Sequence, residues 1–403
     1  MAAVRNTKRR IATAIAAATT VALAVGAGAA LPAQAAQPEG RVLHAGAAEA
    51  VPGSYIVTLE PTAGFKASAA RGKQLIADHG GTVTRTYTSA LNGYAAKLSG
   101  TEAKRLAADP AVASVEQDQK VHSTATQTSA PWGLDRIDQA GLPLSGTYTY
   151  PDTAGGGATV YILDTGVRIT HQEIAGRASY GYDFVDNDST AQDGAGHGTH
   201  VATTVAGSTY GVAKKAKIVA VRVLGNDGSG TTAGVIAGVD WITANHVASS
   251  VANVSLGGGA STTLDNAVRR SIESGVTYSI AAGNAGALAS SYSPARVTTA
   301  LTVGATTRTD ARASYSNYGP AVDIFAPGSD ITAGWNTSDS ATYTGSGTSF
   351  AAPHVSGAAA VYLTSHPGAS PATVASALVN GATSGVLTGI GTGSPNKLLK
   401  LVP

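Results

Sequence analysis

Four polar side chains of this chain stand where a folded backbone could aim them at one point. Asp164 ends the apolar run Thr159-Val160-Tyr161-Ile162-Leu163 and precedes Thr165-Gly166. A carboxylate at the C-terminal end of a buried strand lies on the edge where open α/β sheets bind their ligands, although alone it reads equally as a turn or capping residue. His197 lies within Gly194-Ala195-Gly196-His197-Gly198-Thr199-His200, where flanking glycines leave the imidazole uncrowded as a helix opens. His197 and His200 are three residues apart and share a helix face, so zinc ligation is the competing reading. No Glu stands between them in the H-E-x-x-H manner and no third ligand is evident. His197 is therefore read as a general base and His200 as a structural, hydrogen-bonded neighbour.

Ser349 closes the run Gly345-Ser346-Gly347-Thr348-Ser349 and opens an apolar helix through Val355, Ala358 and Val361. A helix N-terminus offers unpaired N–H groups and positive dipole charge, so a serine there can attack while its own N–H stabilises an oxyanion. Serine is also a good helix cap, but that role does not require the small residues before it or the Pro353-His354 pair within the helix. Asn284, after Ala281-Ala282-Gly283, would present its amide from the same sheet edge as Asp164, as a second oxyanion donor. Singly, each of these is a turn or cap residue. Together, and in this order, Asp, His, Asn and Ser are the parts of a serine-hydrolase site. Gly347-Thr348-Ser349 also suggests an α/β-hydrolase esterase, but there the nucleophile precedes its acid and histidine, whereas Ser349 comes last and Ala351 fills the final Gly position. A catalytically inactive peptide-binding protein on the same fold is the other alternative, and retention of every reacting group speaks against it.

Composition narrows the chemistry further. The 403 residues contain no Cys, which removes thiolate nucleophiles, disulfides, Cys-bound zinc and iron–sulfur clusters. Charged residues make up 13%, about half the usual ~25%, and 49 glycines point to many tight turns. Before Ala36 there are four cations and no acid, whereas from Ala125 onward there are fourteen cations and seventeen acids. With no basic patch in the main body, no nucleic-acid partner is expected.

The elements that must position these groups are legible in outline. Residues 1–35 read as a signal peptide: Arg5, Lys8, Arg9 and Arg10, an apolar stretch from Ile11 to Ala30, and Ala33-Gln34-Ala35 for cleavage. The stretch is mostly Ala and no second span follows, so a secreted, extracellular chain is expected rather than a membrane-anchored one. Strands at Tyr55–Leu59, Thr82–Tyr87, Tyr94–Leu98 and Val112–Val115, with helices at Phe65–His79 and Thr101–Ala108, give a βαββαβ unit. Residues Val121 to Ala130, rich in Ser, Thr, Ala and Gln, read as a linker. Beyond Trp132, apolar strands at Thr159–Leu163, Ile218–Val223, Val251–Leu256, Val276–Ala281 and Leu301–Val303 are expected. They alternate with helices at His197–Val205, Thr231–Asn245, Leu264–Ser274 and Ser349–Thr364. The fold class is α/β, a mostly parallel sheet flanked by helices on both faces, preceded by a small α+β domain.

These motifs resemble the subtilisin-like serine proteases of the proteinase K branch, secreted bacterial alkaline enzymes. The resemblance rests on Asp164-Thr165-Gly166, His197-Gly198-Thr199-His200, Ser255-Leu256-Gly257-Gly258, Ala282-Gly283-Asn284, Gly347-Thr348-Ser349 and Pro353-His354, and it spans essentially the whole chain after Ala36. It implies a serine endopeptidase in which Ser349 attacks a peptide carbonyl, His197 moves the proton, Asp164 orients the ring, and Asn284 with the Ser349 N–H binds the oxyanion. It implies polypeptide substrates held as an added strand between Gly228-Ser229-Gly230 and Ser255-Leu256-Gly257, with Ala282 and Gly283 beside them. No acid lies within Ser255 to Gly259 or Ile280 to Gly283, so broad cleavage after apolar and aromatic residues is expected. By the same resemblance, residues 36–124 are an inhibitory propeptide and folding template, cut at Thr124–Ala125, and 125–403 are the catalytic domain, a monomer. Structural calcium (Ca2+) is implied, with Asp323 and the carbonyls of Thr298 and Ala300 at one site. Asp135, Asp138, Gln139, Ser145 and Thr147 are implied at another. Two departures stand out: Thr203 replaces a usual Gly, with altered helix packing expected, and Phe350 replaces a common Met beside the nucleophile.

Overall fold

The computed structural model describes residues 38–47, 50–120 and 123–402; the expected signal peptide lies outside them. Two units divide between Gln119 and Lys120. The first contains β1 (Val42–Leu43), β2 (Ala50–Leu59), α1 (Ala70–Asp78), β3 (Thr82–Tyr87), β4 (Gly93–Lys97), α2 (Gly100–Leu106) and β5 (Val112–Gln119). Its sheet runs in the order β1-β5-β2-β4-β3, with β2 antiparallel to both neighbours. Alternation along β2 puts Tyr55, Val57 and Leu59 on one face, where they pack with Ile76 of α1 and Leu106 of α2. Ser99 and Glu102 form a reciprocal capping box that starts α2. This is the βαββαβ unit expected from the sequence, with the short β1 added.

The second unit begins with β6 (Thr124–Thr128), α3 (Trp132–Asp138), β7 (Thr147–Pro151), β8 (Thr159–Asp164) and β9 (Ala178–Asp183). Then come α4 (His197–Ala206), β10 (Lys217–Arg222), α5 (Thr232–Asn245), β11 (Ser250–Val254), β12 (Gly258–Gly259), α6 (Thr262–Glu273) and β13 (Thr277–Ala281). Next are β14 (Tyr292–Ser293), β15 (Leu301–Thr306), β16 (Ile324–Pro327), β17 (Ile331–Gly334) and β18 (Thr342–Gly345). The chain closes with α7 (Thr348–Ser365), α8 (Pro371–Gly381), β19 (Thr383–Ser384) and β20 (Lys397–Leu398).

Nine strands form one sheet, β19-β20-β16-β15-β13-β11-β8-β10-β9, parallel throughout except for β19. Its central strands are buried on both faces. Val160 and Ile162 of β8 enter the cluster with Val201 of α4 and Val355 of α7, whereas Tyr161 and Leu163 join Val239 of α5 and Val268 of α6. A parallel sheet needs such cover on each side, which is why these strands read as mostly apolar runs. From β8 the chain first builds outward through β9 and β10, then crosses by α5 to β11 on the other side. The connections leave β8 in opposite directions there, opening a crevice beyond the carboxyl ends of the strands.

The supposed linker is different. Thr124–Thr128 pairs antiparallel with Thr147–Pro151, from Thr124 opposite Pro151 to Thr128 opposite Thr147. Its polar composition suggested a loop, but alternating β-branched Thr suits an edge strand with one wet face.

Candidate active site

The strand ends and helix starts bring the candidate groups to one edge of the sheet. Asp164, the last residue of β8, is fully buried, and its Oδ1 lies 2.7 Å from His197 Nδ1. The same oxygen accepts the Thr165 N–H at 2.7 Å. His197 opens α4 directly after Gly196, whose φ is +104°. A Cβ at Gly196 would come within 2.2 Å of the Trp335 indole, so both the left-handed backbone and the close approach demand glycine. Burial opposes a charge on His197, but the charge and hydrogen bond of Asp164 and the charge of Asp193 outweigh it and hold the ring above its ordinary pKa.

His200 is not a metal ligand in this arrangement. It is fully buried, its Nε2 bonds the Ile331 carbonyl at 3.0 Å, and burial pushes its pKa down to about 3. It is a neutral packing histidine, with the Phe350 ring 4.2 Å away between centroids. Phe350 also lies 5.4 Å from the His197 ring, so the residue found where Met is common walls that imidazole.

Thr203 resolves the other departure. Its hydroxyl donates to the Thr199 carbonyl at 2.9 Å and accepts the Gly334 N–H at 2.8 Å. The altered packing is thus a hydrogen-bonded contact between α4 and β17.

Ser349 sits in the first turn of α7, and Pro353 explains how it is held. Proline has no N–H for the carbonyl four residues back, which here belongs to Ser349. Ser255 Oγ takes that place, donating to Ser349 O at 2.8 Å, while Ser349 Oγ donates to Ser255 O at 3.0 Å. Asn253 Nδ2 donates to Ser255 Oγ, and Asn253 Oδ1 accepts from Ser356 Oγ, each at 2.8 Å. The Ser349 hydroxyl therefore rests on the carbonyl of Ser255. That hydroxyl is bonded there and not to His197.

Asn284 Oδ1 accepts the Thr348 N–H at 2.8 Å and the Thr348 hydroxyl at 2.9 Å. With its oxygen so occupied, the amide nitrogen is directed elsewhere. A Cβ built on Gly347 would lie 3.5 Å from Asn284 Nδ2 and 3.7 Å from Ser349 N. Two N–H donors thus border the space that glycine leaves open, which is the arrangement an oxyanion requires.

Asn317, which the sequence reading did not single out, shapes this loop. Its Nδ2 donates to Ala282 O at 2.8 Å, its Oδ1 accepts from Ala285 N and Ala287 N at 3.0 Å each, and its own N–H bonds Gly283 O at 2.9 Å. No local signal in Ser316-Asn317-Tyr318 announces that role.

A cavity of about 460 Å³ adjoins His197. Gly228, Ser229, Gly230, Ser255, Leu256 and Gly257 line it, and Leu224, Val235 and Leu264 give it apolar walls without any acidic residue. Ala282 and Gly283 do not line it; Ala282 is fully buried and Gly283 N–H bonds Thr348 Oγ1 at 3.0 Å.

No cluster of three or more His, Asp or Glu residues suited to a metal occurs among the described residues, so any cation would need carbonyl and hydroxyl oxygens. At Asp323 the residues fit one. Thr298, Ala300 and Asp323 line a common cavity, and burial raises the Asp323 carboxyl to about 6 against a single opposing bond from Thr302 N–H. A desolvated carboxylate suits a hard cation, with the carbonyls of Thr298 and Ala300 needed to complete its shell. In the second set most oxygens are already taken, while Asp138 Oδ1 is buried without a hydrogen-bond partner. Asp135 accepts from Ser145 N and Oγ at 3.0 Å each and from Gly146 N at 2.7 Å. Gln139 Oε1 accepts the Ser145 N–H, Thr147 Oγ1 pairs with Ser145 Oγ, and Asp138 Oδ2 accepts from Thr149 N.

Comparison with known proteins agrees with this geometry. Residues 155–396 match the subtilase family of peptidases and residues 54–124 the peptidase inhibitor I9 family. The chain is 50% identical over 389 residues to an extracellular serine proteinase of Thermus sp. (strain Rt41A), covering 91% of this chain and 94% of that protein. It is 51% identical over 323 residues to alkaline serine exoprotease A of Vibrio alginolyticus, covering 79% of this chain and 60% of that longer protein. Among solved structures, a cold-adapted subtilisin-like serine proteinase is 51% identical with a TM-score of 0.67, covering 68% of this chain and 100% of its own. The chain belongs to the subtilase family, as a serine endopeptidase preceded by an I9 propeptide inhibitor domain.

Proposed function

We propose that the chain is a secreted endopeptidase of broad specificity that cleaves unfolded polypeptides after apolar and aromatic residues and matures by cutting itself. The observation that carries the specificity is the cleft beside His197, walled by Leu224, Val235, Leu256 and Leu264 and free of acidic side chains. A substrate strand pairs with the backbone of Ser255–Gly257 on one side and Gly228–Gly230 on the other, which gives affinity without demanding a sequence. Its N–H groups compete for the Ser255 carbonyl, and the Ser349 hydroxyl that rested there is released toward His197. Ser349 Oγ attacks the carbonyl carbon as its proton passes to His197 Nε2. Asp164 stabilises the imidazolium, while Asn284 Nδ2 and Ser349 N hold the oxyanion. Collapse breaks the C–N bond, and the proton on His197 leaves with the amine. Water then repeats the sequence on the acyl-enzyme and restores the serine.

Digestion of one unfolded protein, with every cut mapped by mass spectrometry, tests the specificity. Apolar and aromatic residues are expected to dominate on the acyl side of the cuts; a majority of cuts after Lys or Arg would refute it.

The I9-matching unit supports the role of inhibitor and folding template. Parallel strands pair non-locally and fold slowly, so a removable template has a physical purpose. Secretion is supported by the extracellular naming of the Thermus relative. No helix among the described residues is long and apolar enough to cross a membrane.

We further propose one structural calcium ion, held by Asp323 with the carbonyls of Thr298 and Ala300; it neutralises a buried carboxylate and takes no part in the reaction. Chelation of the mature enzyme is expected to lower its Tm by about 5–10 °C, and Asp323→Asn to remove most of that response. An unchanged Tm after chelation would contradict the site.

A further inference from the structure

We propose that Asp193 is a positioning residue for the reaction, a second buried carboxylate that ties the end of the Asp164 strand to the first turn of the His197 helix and lends its charge to the imidazolium. The proposal rests on the subtilase reading of the site. Asp193 is 3% exposed and is held by five donors. Its Oδ1 accepts from Thr165 Oγ1 at 2.9 Å, Ala195 N at 2.9 Å and Gly196 N at 2.8 Å. Its Oδ2 accepts from Thr199 N at 2.9 Å and Thr199 Oγ1 at 2.6 Å. Thr165 follows Asp164 directly, and its Oγ1 accepts the Gly198 N–H at 2.9 Å. One carboxylate thus grips the residue after the catalytic acid and the residues on both sides of the catalytic base.

Helix α4 has no cap of its own, since Gly196 has no side chain to offer. Its first N–H groups would otherwise be unsatisfied; Asp193 accepts that of Thr199 and Thr165 Oγ1 that of Gly198, which puts an anion where the helix dipole favours one. Five donors also offset the cost of burying the charge.

The charge reaches His197. Asp164 bonds the ring from β8, and the buried charge of Asp193 in the preceding loop also favours the cationic ring. On its own helix the titratable neighbour is His200, which burial keeps neutral. From α7 comes the Phe350 ring, and from the cleft Leu224, Gly228 and Ser255, none of them charged. Arg168, whose N–H bonds Thr199 Oγ1 at 3.0 Å, spends its guanidinium on Asp339 at 2.6 Å.

Two variants separate geometry from charge. Asp193→Asn removes the charge, and one of its atoms becomes a donor facing donors. Its kcat on a soluble peptide is expected to fall about 10- to 100-fold with KM changed less than about 3-fold. The acid limb of its kcat/KM profile should move to lower pH, because the base loses an anion that favours its protonation. Thr165→Val cuts the link but keeps the carboxylate, so kcat should fall while the acid limb stays in place. Thermal unfolding of each variant reports whether it is folded, and if Asp193→Asn does not fold, Thr165→Val still decides the link. Wild-type kcat in Thr165→Val, or an unmoved acid limb in folded Asp193→Asn, would overturn the proposal.

Discussion

Ser349→Ala is expected to lose roughly 10⁶-fold in kcat, the size established for the triad serine of subtilisin rather than one derived from this geometry. The substitution removes the only atom that can form the acyl bond and leaves the rest of the site in place. Asn284 still has its oxygen on Thr348, and Ser255 Oγ still bonds the carbonyl of residue 349, because that bond involves the main chain. KM should therefore change little, since the peptide meets the edges at Ser255–Gly257 and Gly228–Gly230 without needing the hydroxyl. A residual rate above that of water would come from the oxyanion donors and binding alone. Peptide hydrolysis by purified variant, followed over days, measures it. A loss of tenfold or less would place the nucleophile elsewhere.

Asp164→Asn is expected to cost about 10⁴-fold in kcat near neutral pH, the scale associated with an acid-to-amide change in a Ser-His-Asp triad. The carboxylate now accepts from both His197 Nδ1 and Thr165 N through one oxygen. An amide oxygen can accept both of those bonds, but the group no longer holds a negative charge against the imidazolium, and in the flipped orientation it presents an N–H where Nδ1–H should point. The sign for pH follows from the same charge. Asp164 raises the His197 pKa, so its removal shifts the ionisation of the base to lower pH. The expected profile therefore has lower rates throughout and an acid limb displaced downward. A variant with the wild-type limb and rate would show that Asp164 serves only to end β8.

The parts of this fold visible in the sequence were those whose physics is local and uniform. Strands β8, β10, β11, β13 and β15 are covered on both faces, and burial makes each mostly apolar, with Asn253 of β11 and Ser279 of β13 as buried polar interruptions. Helices α4, α5, α6 and α7 lie close to their expected ranges. The elements that went unread carry weaker signals. β9 alternates Tyr with Ser and Gly at the sheet edge. The β17–β18 hairpin is short and rich in Thr, yet it places Trp335 against Gly196 and gives Ile331 O to His200. Helix α8 had a readable start, Ser370-Pro371, with the serine capping Thr373 N–H at 3.2 Å. Strand β6 was hidden by its composition.

The reacting groups were legible because each stands at the end of a strong element, while the groups that hold them were not. Asp193, Asn317 and the exchanged bonds between Ser255 and Ser349 join segments far apart in sequence. Pro353 was the one local hint among these. A proline within a helix leaves a carbonyl open, but only the folded chain reveals that Ser255 fills it.

Intact mass and N-terminal sequencing, on wild-type precursor and Ser349→Ala refolded separately from purified chains, test most directly whether these groups form one working centre. With no other protease present, the wild type should cut itself near Thr124–Ala125 and yield two masses, and the variant should remain a single uncut chain. Identical maturation of the two proteins would contradict the account, because peptide cleavage would then not need the hydroxyl of Ser349.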